Sequence, residues 1–457
     1  MKIEETFELA FQNHQKNNFK IAEKLYKQIL KKQSNHFKSI FYLGTLSIQT
    51  KNFDKAKSCC EKAIQINPNY PEAYHNLGTI LQNLGDIEKA IDCYEKAIQI
   101  FPNYTSAHNN LGNAFNELGE HKKAVDYCEK AIKINYNYTS AHNNLGNAFS
   151  KLREYKKAVD CYKKAIKINP NYLLAHNNLG IVFRELGKWH DAIKFFQKAN
   201  FTSSRAELLE CTYFSNNLKT YTRILEKLTK RDPLNLRVAT IAAYVSKKEN
   251  IKNIYPFCKD PLNYVFIKNF KNELTSVNKF SKNLLKILGK IQSIWEPSSK
   301  TTKGGYQSLG NLFDSKDSEI LKLKKIIEKQ IINYRKVYKG GQDFFIKKWP
   351  TESKFRGWYV RLTKQGHQKS HIHPAGWLSG VIYLKVPKLL NKNEGSIEFT
   401  LHGYDYPYDK SLPNLIYSPK IFDITLFPSS LFHRTIPFNS QEERQVIAFD
   451  LVPKQSI

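Results

Sequence analysis

The sequence lacks any apolar run that approaches the ~18 residues of a membrane-spanning helix. Its N-terminal stretch, MKIEETFELAFQNHQ, carries early acidic residues and no continuous apolar core, which a signal peptide would need. The seven cysteines form no paired C-x-x-C pattern of the zinc-binding kind. We therefore expect a cytoplasmic protein, in a reducing compartment and without a membrane partner.

Acidic residues are scarce relative to basic ones. There are 41 aspartates and glutamates against 71 lysines and arginines, which gives a formal net charge of +30. Such an excess can indicate a nucleic-acid-binding face. Here, however, the lysines are spread along the whole chain among many asparagines. This spread favours a general compositional bias, so we do not expect nucleic acid as a partner.

A 34-residue period runs through the first two hundred residues. The segment HNLGTILQNLGDIEKAIDCYEKAIQIFPNY (75–104) returns with substitutions at 109–138 and again at 143–172. Leucines keep this step at one position of the repeat, and alanines and glycines keep it at two others: Leu43, Leu77, Leu111, Leu145 and Leu179; Ala22, Ala56, Ala90, Ala124, Ala158 and Ala192; Gly44, Gly78, Gly112, Gly146 and Gly180. The period predicts stacked helical hairpins whose helices cross at small residues.

The repeat resembles the tetratricopeptide repeat, and the resemblance covers about six units in residues 1–205. It implies an α-solenoid with a concave groove that binds a peptide or protein. Residues 206–290 keep a helical pattern without the strict period, and we interpret them as a helical extension or connector.

Asparagines recur at one position of the repeat: Asn76, Asn110, Asn144 and Asn178. The array is similar to the repeats of O-linked GlcNAc transferases, in which inner-surface asparagines hold the backbone of an extended peptide. An amide side chain both donates and accepts hydrogen bonds, as an extended main chain requires. The alternative is that these positions are merely solvated polar residues.

Beyond residue 290 the pattern changes to short strands. Residues 295–313 (WEPSSKTTKGGYQSLGNLF) are rich in Pro, Ser and Gly, and predict a boundary loop. An amphipathic helix follows at 317–338 with one apolar stripe. Five β-rich segments come next: FRGWYVRLT, WLSGVIYLKVP, GSIEFTLH, KIFDITLFP and RQVIAFDLV. Residues 291–457 are therefore predicted to form a jelly-roll or cupin-like double-stranded β-helix.

The stretch HQKSHIHPAGWLSGVIYL (367–384) contains three histidines, two of them in an H-x-H pair. In a strand, His371 and His373 would point to the same face, a spacing that suits a metal ion. His433 follows a later strand, and Arg444 opens the final strand eleven residues further on.

This order resembles the iron(II)/2-oxoglutarate-dependent dioxygenases, and in particular a group of such oxygenases fused to tetratricopeptide arrays. The resemblance implies that His371, His373 and His433 bind Fe(II), and that 2-oxoglutarate and O₂ occupy the open positions. It implies that Arg444 binds the far carboxylate of 2-oxoglutarate, since Arg offers a planar two-pronged donor. Tyr383 is a candidate second donor. The expected activity is that of a dioxygenase (hydroxylase).

The sequence departs from the usual H-x-D/E motif at His373. The spacing leaves open whether His373 is the third ligand or whether a carboxylate such as Glu398 replaces it; Glu398 could equally be a solvent-facing strand residue. His367 is interpreted as a loop residue, and Val446 stands where a serine often follows the arginine by two positions. The alternative function is a non-enzymatic tetratricopeptide scaffold whose cupin-like domain is inactive or only binds metal. The sequence does not identify the substrate.

Overall fold

The computed structural model describes residues 2–297, 300–388, 391–403 and 406–454. The chain divides into two compact units, residues 1–200 and 201–457. The boundary falls where the strict sequence period ends. No helix within the described ranges is long and apolar enough to cross a membrane.

The first unit is a solenoid of helical hairpins. Its helices are α1 (Ile3–Gln15), α2 (Phe19–Lys32), α3 (Phe37–Gln49), α4 (Phe53–Ile66), α5 (Pro71–Leu84), α6 (Ile87–Ile100), α7 (Thr105–Leu118), α8 (His121–Ile134), α9 (Thr139–Lys151), α10 (Tyr155–Ile168), α11 (Leu173–Glu185) and α12 (Trp189–Ala199). Consecutive helices pack as pairs, and each pair packs on the next. This confirms the predicted tetratricopeptide architecture.

Close helix crossing explains the alternation of cysteine with larger residues along the repeats. A Cβ built on Gly112 would lie 2.6 Å from the Sγ of Cys128, and one built on Gly146 would lie 2.6 Å from the Tyr162 ring. In the five pairs from α3 to α12 the first helix therefore contributes a glycine at the crossing, and the second fills the space with sulfur or an aromatic ring. All seven cysteines are free thiols.

The second unit combines helices with β-sheets. Its helices are α13 (Thr202–Phe214), α14 (Leu218–Arg231), α15 (Leu236–Lys248), α16 (Val277–Leu288), α17 (Ser318–Val337) and α18 (Phe344–Lys347). Its strands are β1 (Phe266–Asn269), β2 (Ser293–Trp295), β3 (Thr302–Ser308), β4 (Ser353–Gln368), β5 (Leu378–Lys385), β6 (Ile397–Thr400), β7 (Asn414–Tyr417), β8 (Asp423–Pro428), β9 (Phe432–Thr435) and β10 (Arg444–Pro453).

The strands form two antiparallel sheets. The larger has the order β1-β8-β5-β10-β4-β3-β2, and the smaller has the order β7-β6-β9. The predicted fold class, an α-solenoid followed by a mostly β, cupin-like domain, is confirmed. Each of the five strands expected from the sequence is present.

The two faces of the larger sheet are buried in different cores. Alternate residues such as Ile382, Ile447 and Phe449 pack with side chains of α13–α17. The residues between them, such as Val381 and Val446, join side chains of the smaller sheet. Side chains on this second face therefore point between the two sheets, where the candidate site lies.

The boundary loop expected at 295–313 is a wrong prediction in its centre, because residues 302–308 form strand β3 paired with β4. Gly304 and Gly305 read as loop signals in the sequence. In the structure they allow close strand approach, since a Cβ on Gly305 would lie 2.5 Å from the carbonyl oxygen of Arg361. His367, expected in a loop, lies near the end of β4.

Candidate metal and 2-oxo acid site

Three histidines converge between the two sheets. One ring nitrogen from each of His371, His373 and His433 lies within 4.8 Å of the other two. His371 and His433 are buried, and His373 is more accessible. The structure therefore brings together all three residues that the sequence singled out.

Backbone pairing sets this arrangement. His371 exchanges two main-chain hydrogen bonds of 3.1 Å with His433, an isolated bridge that ties the H-x-H segment to β9. The amide of His373 donates to the carbonyl oxygen of Ser429 at 3.0 Å. The segment is therefore not a regular strand, but the pairing still places the three rings next to one another, with centroids 4.3 to 5.0 Å apart.

The Nδ1 atom of every ring has an oxygen partner. His371 Nδ1 lies 2.7 Å from the Lys369 carbonyl oxygen, His433 Nδ1 lies 3.2 Å from that of Leu431, and His373 Nδ1 lies 2.5 Å from Asp450 Oδ1. An N–H at each Nδ1 leaves the Nε2 lone pair free, which is the tautomer that a metal ligand needs. The donor set thus fits a divalent transition metal.

Burial keeps two of these rings neutral. It lowers the pKa of His371 to about 3, and the neighbouring His373 adds to the effect. Burial likewise places the pKa of His433 well below its ordinary value, with further contributions from His371 and His373. Neutral imidazole is the form that binds metal, so these two rings need lose no proton when a metal ion binds at neutral pH.

Arg444 and Tyr383 lie on the same face of the larger sheet. Both are fully buried, and the guanidinium carbon of Arg444 is 5.0 Å from the centre of the Tyr383 ring. Arg444 Nε donates to the Gly395 carbonyl oxygen at 3.1 Å. Among the described residues, however, neither Arg444 Nη1 nor the Tyr383 hydroxyl has a hydrogen-bond partner.

Such buried, unpartnered donors are costly unless a ligand satisfies them. Burial lowers the pKa of Arg444 below its ordinary value, and within the described residues no carboxylate pairs with it. A carboxylate ligand would supply both the counter-charge and the missing acceptors. The pair thus fits the far carboxylate of a 2-oxo diacid.

Glu398 does not join the histidine cluster. It is buried rather than solvent-facing, which corrects one of the two interpretations of this residue. Arg434 Nε donates to its carboxylate at 2.5 Å, and Asn414 donates to it at 3.3 Å. In the strand register Phe399 is opposite His433, so Glu398 points to the other face of the smaller sheet.

Sequence reasoning missed Asp450 and Ser379. Asp450 accepts from the Ser379 hydroxyl at 2.7 Å as well as from His373. The sequence feature that could have indicated Asp450 is its even spacing from Arg444. The two residues are six apart on one strand, so their side chains share a face. Trp358, half-buried on the adjacent strand, lies 5.5 Å from the His373 ring and forms a wall beside it.

The asparagine positions of the solenoid lie between successive repeats. The Nδ2 of Asn144 donates to Asn109 Oδ1 and that of Asn178 donates to Asn143 Oδ1, each at 3.0 Å. Asn110 Nδ2 lies 3.0 Å from His75 Nε2. Bonds between adjacent asparagines join these into one amide chain across the repeats. The fourth member, Asn76, donates to the Thr45 hydroxyl at 3.4 Å. These residues are half-buried, so part of their hydrogen-bonding capacity serves to join the repeats.

Known family models match two parts of the chain. Residues 356–450 match the family described as "Putative 2OG-Fe(II) oxygenase". Residues 39–103, 69–137, 139–172 and 161–194 match tetratricopeptide repeat families. The oxygenase match includes the three histidines, Arg444 and Asp450.

Solved structures similar to the chain include a MamA protein, at 25% identity over 37% of this chain and 92% of that one, with a TM-score of 0.34. Another is pilF of Pseudomonas aeruginosa, at 17% identity over 46% and 97%, with a TM-score of 0.40. A third is YrrB, described as a TPR protein with an unusual peptide-binding site, at 18% identity over 38% and 90%, with a TM-score of 0.32. No curated protein matches the chain. The chain therefore combines an N-terminal array of tetratricopeptide repeats with a C-terminal domain that matches the family described as "Putative 2OG-Fe(II) oxygenase".

Proposed function

We propose that the protein is an Fe(II)/2-oxoglutarate-dependent dioxygenase whose tetratricopeptide array binds a peptide or protein. The observation that carries this proposal is the presence of two incomplete groups between the two sheets. Among the described residues, the Nε2 atoms of the three imidazoles make no hydrogen bond, and neither Arg444 Nη1 nor the Tyr383 hydroxyl has a partner. A metal ion and a 2-oxo diacid would complete both groups.

His371, His373 and His433 would hold the metal through Nε2. Their Nδ1 partners fix each ring, so little rotational freedom is lost on binding. Three protein ligands leave positions open for the 2-oxo acid and for O₂, as in non-haem iron oxygenases. Bound iron would supply the oxidising chemistry that couples decarboxylation of 2-oxoglutarate to hydroxylation of a substrate.

Arg444 and Tyr383 would orient 2-oxoglutarate by its far carboxylate. Among the described residues, Arg444 Nε is hydrogen-bonded and Nη1 has no partner, and the guanidinium lies over the ring of Tyr383. The apolar neighbours Val446 and Ala448 exclude water from this end of the site. The charge-assisted contact is therefore strong, since water does not compete for it.

The solenoid retains hydrogen-bonding groups for a partner. Among the described residues, the amide nitrogen of Asn144 makes one bond, to the preceding repeat, which leaves its second N–H available. Asn110 occupies the same position one repeat earlier and contacts His75 and Tyr94. Two amides one repeat apart could contact the main chain of an extended peptide. This supports the proposal that the array presents a peptide or protein substrate.

Metal titration tests the catalytic part. Full-length protein, titrated with Fe(II) under anaerobic conditions, should bind one ion per chain. His371→Ala should abolish that binding, whereas His367→Ala, in the same segment but outside the cluster, should not. Equal iron content in the wild type and His371→Ala would refute the site.

A separate experiment tests the array. Two samples are compared, both with the iron site disabled: one with the native array and one with Asn110→Ala and Asn144→Ala. The double substitution should lower the amount of array-dependent partners captured from cell extract. Recovery of the same partners by both forms would remove these amides from the binding surface.

A further inference from the structure

Asp450 is a buried carboxylate without a cationic side chain beside it. It lies on β10 and is 7% exposed. Its Oδ1 is 2.5 Å from His373 Nδ1 and 2.7 Å from the Ser379 hydroxyl, which in turn lies 2.8 Å from the Ser429 hydroxyl. Among the described residues, no lysine or arginine forms an ion pair with it. A buried charge of this kind requires a compensating positive charge nearby.

The three histidines differ in what their Nδ1 atoms contact. His371 and His433 donate to neutral main-chain carbonyl oxygens. Within the described part of the chain, His373 is the only one of the three that contacts a carboxylate. His373 is also the residue that stands where the commoner iron motif has an aspartate or glutamate. The histidine that differs from the commoner ligand set is therefore the same one that contacts the carboxylate of Asp450.

We propose that Asp450 is a positioning residue that supplies, through the His373 ring, the negative charge that a carboxylate ligand supplies elsewhere. This inference rests on the proposed function. Two imidazoles and a carboxylate reduce the charge of Fe(II) to one, whereas three neutral imidazoles leave it at two. Asp450 brings the net charge of the site back to one, although its carboxylate contacts the His373 ring and not the metal ion.

The contact also has a direct effect on the His373 ring. A carboxylate that accepts from Nδ1–H fixes the tautomer and makes Nε2 a stronger donor to the metal. The Ser379 hydroxyl donates to the same carboxylate oxygen and helps to hold it in place. Loss of such a partner typically weakens metal affinity by roughly 10- to 100-fold.

Asp450→Asn is the first test, because asparagine keeps the shape and an acceptor oxygen but removes the charge. In anaerobic Fe(II) titrations of the full chain, we expect an affinity about 10- to 100-fold lower, with one ion per chain. Asp423→Asn is the matched control. Asp423 is another buried aspartate, and it contacts Tyr417 and Asn269 instead of a histidine. It should leave iron affinity unchanged.

The second test asks whether the effect depends on His373. In a His373→Asp background the carboxylate is itself a candidate ligand, so the added Asp450→Asn change should alter iron affinity by less than about threefold. Equal losses in both backgrounds would mean that Asp450 acts only on packing. Ser379→Ala, which leaves the charge in place, should weaken affinity less than Asp450→Asn, and it gives a second readout if the latter does not fold.

The outcomes separate the two proposals. If the wild type binds no iron, the proposed function fails, and this inference fails with it. If the wild type binds iron and Asp450→Asn binds it equally well, only the inference is overturned. If Asp450→Asn lowers iron affinity in the chain that has His373, but not in the His373→Asp variant, the inference is supported.

Discussion

Replacing Arg444 by methionine should separate cofactor binding from folding. Methionine has a similar length and no charge, so it fills the space without leaving a buried guanidinium. Arg444 is buried without a counter-charge, and only its Nε has a hydrogen-bond acceptor. The variant should therefore fold with a stability close to that of the wild type, since apolar replacement of a buried charge is often neutral or stabilising.

The variant should differ from the wild type in how much added 2-oxoglutarate stabilises it. A hydrogen bond to a charged group contributes about 1.5–3 kcal/mol, which is roughly 10- to 100-fold in affinity. At a ligand concentration one hundred times the wild-type dissociation constant, binding stabilises the wild type by about 2.7 kcal/mol. The same concentration should stabilise the variant by only about 0.4–1.4 kcal/mol.

Thermal unfolding of the metal-loaded protein, with and without 2-oxoglutarate, measures this difference. Arg361→Met is the matched control. Arg361 is on the adjacent strand, opposite Gln445, and its guanidinium lies over the Tyr306 ring, away from the site. Equal ligand-induced stabilisation of Arg444→Met and Arg361→Met would refute the assignment of Arg444.

Three further predictions concern the metal site and the solenoid. His433→Ala should abolish Fe(II) binding in an anaerobic titration, because it removes one of three converging ring nitrogens; retention of one ion per chain would contradict this. Gly112→Ala should destabilise the chain by about 1–3 kcal/mol in denaturant unfolding, since its Cβ would lie 2.6 Å from Cys128 Sγ, and Cys128→Ala should recover part of the loss. Burial lowers the pKa of His108 and His142 below the ordinary value of 6.5. Below pH 6.5 the unfolded chain therefore binds more protons than the folded chain, so the free energy of unfolding should fall as the pH drops through 6.5. Replacing both histidines by glutamine should flatten that dependence, and an unchanged slope would refute it.

The solenoid was predictable because its contacts are local and repeat every 34 residues. Small residues at fixed positions, such as Gly112 opposite Cys128, leave a periodic signal that one sequence is enough to show. The hydrogen bonds of the asparagines were not predictable in the same way. The recurrence of Asn144 indicates a repeated role, but not that its amide contacts the preceding repeat.

In the β domain, strands with apolar and β-branched runs were predicted and glycine-rich or short ones were not. Strand β3 contains Gly304 and Gly305, which usually indicate a loop. They occur in a strand because β4 lies too close for a larger side chain, and this contact between strands distant in sequence is visible only in the folded structure. Strands β7 and β9, of four residues each, were not predicted, whereas β6, of the same length, lies in the predicted run GSIEFTLH.

The metal-binding candidates followed from motif order, whereas the residues that support them did not. The H-x-H pair, His433 and Arg444 occur in the order of the 2-oxoglutarate oxygenases, and that resemblance indicated them. Asp450 lies 77 residues after His373, and their contact depends on how the H-x-H segment sits against β10. No local pattern encodes that arrangement, so only the folded structure shows it.

The measurement that tests the account most directly is turnover of 2-oxoglutarate. Full-length protein with Fe(II) in air should convert 2-oxoglutarate to succinate and CO₂ in equal amounts, and a variant with both His371 and His433 replaced by alanine should not. With ascorbate added as the reductant that takes the place of the substrate, the assay can be run before the partner of the solenoid is known. Wild-type protein that binds iron and 2-oxoglutarate but releases no more succinate than the variant would contradict the account and favour a scaffold.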